Sequence, residues 1–162
     1  MLFGGFAESS PGDDLKAGSK WEVALPDDAA SAMHTLLLIM HNQARNLART
    51  AGGSETFVKK LYDLMVLADK YDCTMLFRRY ASSWVQALPY PKPDEQSLLR
   101  LTWIFYQLGH RDKYEDMVTQ LIMDIPQRVD GEMSEPPILP PGLSGTYKAL
   151  REGSIHTITC LY

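Results

Sequence analysis

Four histidines, His34, His41, His110 and His156, and two cysteines, Cys73 and Cys160, are the side chains best able to hold a transition metal or attack a substrate. Zinc sites draw on closely spaced ligand pairs, and no CxxC, HxxxH or HExxH pattern occurs among these six residues. His34 and His41 fall two turns apart on one face of a predicted helix, too far to share one ion without further ligands. Cys73 beside a histidine is the nucleophilic arrangement open to the chain. It defines the alternative reading, a small metal- or thiol-dependent enzyme using Cys73 and histidines. A lone cysteine after Tyr71-Asp72 at a helix start is more often a small packing residue. Gly52-Gly53-Ser54 lacks both the G-x-x-x-x-G-K pattern of a phosphate cradle and a preceding strand, so it reads as a turn between helices. Asp13-Asp14 and Asp27-Asp28 read as solvated turns and helix caps rather than acid/base pairs. No catalytic constellation survives, and the expectation is a non-enzymatic protein with no cofactor and no metal.

The elements that would position these residues are mostly helical. One strand is expected over residues 20–25, where Trp21, Val23 and Leu25 alternate until Pro26 ends the run. A lone strand leaves backbone groups unpaired, so something must pair with it. Asp27 or Asp28 then caps a helix carrying Met33, Leu36, Leu37 and Met40 inward, ending before Gly52-Gly53. Ser54 opens a second helix that buries Phe57, Leu61, Leu64, Met65 and Ala68. A third is expected over residues 74–88, with Phe77, Tyr80, Ala81 and Trp84 on one side, and Pro89, Pro91 and Pro93 stop it. Asp94 caps a fourth, apolar on almost every side, which places it at the centre of the core. Gly109 ends it, and Tyr114, Met117, Val118, Leu121, Ile122 and Ile125 form a fifth up to Pro126. Half of the 10 prolines lie between Pro126 and Pro141, which marks a linker or extended wrap before a short helix on Leu143, Tyr147 and Leu150. The division expected is a domain over residues 1–126 and a Pro-rich tail over 127–162.

With 162 residues, 45% of them hydrophobic, the chain has enough apolar side chain for a core. Its formal charge of -4, from 16 basic and 20 acidic side chains, offers no footprint for direct nucleic-acid or anionic-membrane binding. The longest apolar runs, residues 36–40 and 64–68, fall far short of the roughly 18 residues of a spanning helix. Met1-Leu2-Phe3-Gly4-Gly5-Phe6 lacks the order of a signal peptide, so the expected compartment is intracellular, cytoplasmic or nuclear, with free thiols.

Several segments resemble the BTB/POZ domain in its fungal form. Val23-Ala24-Leu25-Pro26-Asp27-Asp28, then Ala32-Met33, Leu36-Leu37 and Ile39-Met40-His41, resembles a family strand ending in Leu-Pro-Glu/Asp-Asp and its following helix. LMVLADKYDC at residues 64–73 is similar to the family's LADKYDC turn, and Tyr80 with Trp84 to its spaced Tyr and Trp. LTWIFYQLG at residues 101–109 resembles its L.WI.Y.FG element. The resemblance covers about residues 1–125. It implies an α+β, mainly helical fold: the C-terminal portion of a BTB/POZ-like domain, N-terminally truncated, with one strand, about five helices and a Pro-rich tail. Such domains serve protein–protein interaction, including dimerisation and, in some members, recruitment of cullin-type ligases. The cullin signature places an acid in the helix matching residues 30–41, and Met33-His34-Thr35 contains none, so cullin recruitment is unsupported. The partner expected is another protein or a second copy. The surface expected to meet it comprises Trp21 and Val23 on the strand edge with Met33, His34 and Leu37 on the helix.

Overall fold

A computed structural model describes residues 24–43, 54–88, 94–124 and 137–151. Among the described residues the chain forms α1 (Ala30–Met40), α2 (Ser54–Lys70), a 3₁₀ turn (Thr74–Phe77), α3 (Arg78–Ala87), α4 (Glu95–Gln107), α5 (Arg111–Asp124) and α6 (Leu143–Arg151). No strand occurs among them, which corrects the expected α+β class: the described chain is helical. Ala24 and Leu25, the described end of the expected strand, run irregularly into a turn in which the Asp28 N–H donates to the Leu25 carbonyl at 3.3 Å. The physical reason lies in the ladder. Alternation of Trp21, Val23 and Leu25 gives a segment two faces, but a strand exists only where a second strand takes up its backbone groups, and among the described residues no ladder forms at Ala24 and Leu25. Residues 20–23 lie outside the described residues.

The core centres on α4, as an all-round apolar helix requires. Leu98, Leu99, Leu101, Trp103, Ile104 and Phe105 are all buried there. Helices α2 and α5 both pack on α4, while α1 packs on α2. Thr102 is tolerated at full burial because its hydroxyl donates back to the Leu98 carbonyl at 2.8 Å. From α2 come Phe57, Val58, Leu61, Leu64, Met65, Leu67 and Ala68. α5 contributes Met117 and Leu121. The single helix expected over residues 74–88 is divided: a 3₁₀ turn carries Phe77 inward and α3 follows, with Trp84 buried between Phe77 and the stacked ring of Tyr80. Helix α6 forms where Leu143 and Tyr147 predict it, and both join the same core. Its position is held by polar ties, the Tyr147 hydroxyl to Glu95 at 2.9 Å and the Ile138 N–H to the Tyr62 hydroxyl at 2.7 Å.

Helix α1 differs most from expectation. Ala32, Leu36 and Ile39 face the core, while Leu37 and Met40 are 41% and 45% exposed. It carries more apolar residues than one face holds, so the spacing that placed Met33, Leu36, Leu37 and Met40 inward chose a neighbouring face to the one that packs.

Candidate functional site

Three helices end in the same way, and two of those ends shape the candidate site. In α1, α2 and α4 the residue after the cap adopts a left-handed conformation: Asn42 (φ 56°), Asp72 (φ 52°) and Gly109 (φ 68°). The two N–H groups that follow each helix fold back on its last turn. Asn42 and Gln43 donate to Ile39 and Leu38, Asp72 and Cys73 to Asp69 and Ala68, and Gly109 and His110 to Tyr106 and Phe105. This paired return is the Schellman arrangement, which satisfies carbonyls the helix leaves open. At α1 it turns the chain sharply after Met40. At α2 it delivers the chain directly into the 3₁₀ turn, which sends Phe77 inward and leaves Met75 and Leu76 outward, 63% and 40% exposed.

Between these ends lies an open groove of about 570 Å³, lined by Ile39, Met40, Asn42, Met75, Leu76, Arg78 and Arg79. Its apolar wall comes from the last turn of α1 and the 3₁₀ turn, its cationic wall from the start of α3. Arg79 is placed by its neighbours: its guanidinium lies 6.0 Å from the Tyr80 ring centre and reaches the Asn42 side-chain oxygen at 3.5 Å. Arg78 is exposed.

On the neighbouring side of α1, Asp28 ties the start of the helix to the end of α2. Its carboxylate, 3% exposed, accepts from Lys70 Nζ at 2.8 Å and from the Tyr71 hydroxyl at 2.6 Å. Burial alone would raise the Asp28 pKa, but the hydrogen bonds from Lys70 and Tyr71 and the Lys70 charge together hold it below the ordinary value. The Asp28 hydrogen bond raises the Lys70 pKa in return. Asp28 therefore fastens two helices instead of capping one. The N-cap position belongs to Ala29, which supplies no side-chain bond.

Cys73 is half-buried, and its thiol donates to the Tyr71 carbonyl at 3.2 Å. Burial pushes its pKa up, which keeps the thiol protonated, the opposite of the depressed value that activates a cysteine nucleophile. His34 is exposed on α1, His41 is exposed at its C-cap, and His110 is half-buried in the turn after α4. Among the described residues no three His, Cys, Asp or Glu side chains converge on a metal-sized site.

Of the surface expected to meet a partner, His34 and Leu37 are exposed on α1, whereas Met33 is half-buried against the core. Trp21 and Val23 lie outside the described residues. The groove itself is built from residues the sequence reading did not single out as a surface: Met40, which it turned inward, and Met75, Leu76, Arg78 and Arg79. The signal was present, because placing Phe77, Tyr80, Ala81 and Trp84 on one face leaves Met75, Leu76, Arg78 and Arg79 off it. No helix among the described residues is long and apolar enough to cross a membrane. Comparison with protein-family models, curated proteins and solved structures finds no match to this chain.

Proposed function

We infer that the chain is a non-enzymatic protein–protein interaction module of BTB/POZ type, an adaptor or oligomerisation domain that works inside the cell, in the cytoplasm or nucleus. The observation that carries this reading is the cluster of exposed apolar side chains about the groove: Met40, Met75 and Leu76 in its lining and Leu37 one turn back on α1. Large apolar side chains gathered on a surface, with charged residues at the margin, are the common form of a protein-binding site. Methionine suits such a surface because its unbranched thioether adapts to different partners. A second support is the Asp28 tie: the Leu-Pro-Asp-Asp and Ala-Asp-Lys-Tyr-Asp-Cys segments, both part of the BTB/POZ resemblance, are joined through Asp28, Lys70 and Tyr71. The partner is another protein or a second copy of the chain. Recruitment of a cullin-type ligase is not part of the proposal, since Met33-His34-Thr35 lacks the acid that signature uses.

Selection of a displayed peptide library against the chain tests this. Peptides should be enriched, and their affinity should fall at least tenfold, about 1.4 kcal/mol, in a Met40→Asp/Met75→Asp variant whose circular dichroism is unchanged. Failure to enrich any peptide, or binding indifferent to the two substitutions, would contradict the reading.

A further inference from the structure

The two walls of the groove differ in chemistry, and the difference specifies an occupant. Ile39, Met40, Met75 and Leu76 supply an aliphatic and thioether wall, Arg78 and Arg79 a cationic one, and among the described residues no carboxylate lines the space. Lys59, Lys70, Arg111 and Lys113 each have a carboxylate within 4.0 Å, whereas among the described residues neither Arg78 nor Arg79 does. In a chain with formal charge -4, these two adjacent arginines, with no acidic partner among the described residues, put positive charge beside exposed apolar residues. The groove's volume of about 570 Å³ is open to solvent, the form of a surface that seats side chains of a partner rather than one that encloses a small ligand.

We propose that this groove docks an acidic amphipathic segment of a partner protein, with bulky aliphatic or aromatic anchors against Met40, Met75 and Leu76 and carboxylates facing Arg78 and Arg79. The proposal rests on reading the groove as a docking surface and adds the chemistry of what docks. Arginine presents a planar fork that takes a carboxylate through two parallel N–H donors, so it selects Asp or Glu over neutral side chains. At a groove margin such pairs act mainly on selectivity and association rate, while the apolar anchors hold the complex. Acidic-hydrophobic segments match both walls. A basic segment would set like charges together, which interfaces avoid.

Fluorescence anisotropy on the full chain tests this with synthetic helical peptides that share Leu and Phe anchors and differ only in carrying Glu, Gln or Lys at the remaining positions. The Glu peptide should bind at least about tenfold more tightly than the Lys peptide, and the gap should shrink in about 1 M salt, where the screening length falls to about 3 Å. Arg78→Glu/Arg79→Glu should reverse the order, favouring the Lys peptide. If that variant loses helicity, the milder Arg78→Gln/Arg79→Gln should lower Glu-peptide affinity about fivefold. Equal affinities for all three peptides, each lost in Met40→Asp/Met75→Asp, would overturn the charge selection and leave the docking surface standing. Binding of none of them through Met40 and Met75 would remove the surface as well. A wild-type dimer by light scattering that Met75→Asp dissociates would overturn the proposal in favour of a second copy.

Discussion

Asp28 keeps a buried carboxylate charged by giving it two donors at once, Lys70 Nζ and the Tyr71 hydroxyl. Truncating it removes the acceptor that the water-accessible Lys70 ammonium and the Tyr71 hydroxyl share, so Asp28→Ala should cost about 1–2 kcal/mol, as read by denaturant unfolding. The pH dependence follows from the directions of the two shifts. The folded Asp28 pKa is below its ordinary value of 3.8, so its stabilisation is complete above that value and is lost as pH falls through the lower folded one. For Lys70, raised above 10.5, the contribution is complete below that value and is lost as pH rises through the folded one. Unfolding free energy measured down to about pH 2 should show the acid-side loss in the wild type, and Asp28→Asn should flatten it. An unchanged slope in the variant would show that other carboxylates carry it. This residue was only half legible in the sequence. An Asp before an apolar helix usually caps it, and nothing local announces a partner 42 positions away.

At the scale of elements, helix existence was readable and helix faces were not always so. Gly109 marks the end of α4 because glycine enters the left-handed region without strain. Asn42 and Asp72 do the same work for α1 and α2 with side chains that meet a steric cost there, so the sequence left both ends less sharply placed. Asp72→Gly should therefore raise stability by about 0.5–1 kcal/mol, net of the entropy glycine adds to the unfolded chain. Gly109→Ala should lower it by about 1–2 kcal/mol. Thermal unfolding reads both, and a destabilising Asp72→Gly would mean that the carboxylate itself holds the turn. Helix α4 was legible as a core helix because it has almost no polar face. On α1 the same apolar surplus hid which side packs, and the face that remained outside supplies Met40 to the groove.

For the molecule as a whole, the mainly helical character of the expected fold stands and its one strand does not: no strand occurs among the described residues, Ala24 and Leu25 included. The groove was not legible from any one segment, because it joins the end of α1 to residues 75–79, which only the docking of α1 on α2 brings together. Composition did not announce its cationic wall, since an overall charge of -4 conceals two adjacent arginines that have no acidic partner among the described residues. The most direct measurement is a two-dimensional amide NMR titration of the isotope-labelled chain with the Glu-bearing peptide. The account predicts shifts concentrated at Ile39, Met40, Asn42, Met75, Leu76, Arg78 and Arg79; shifts gathered instead around Tyr106 and Met123, or none at saturating peptide, would contradict it.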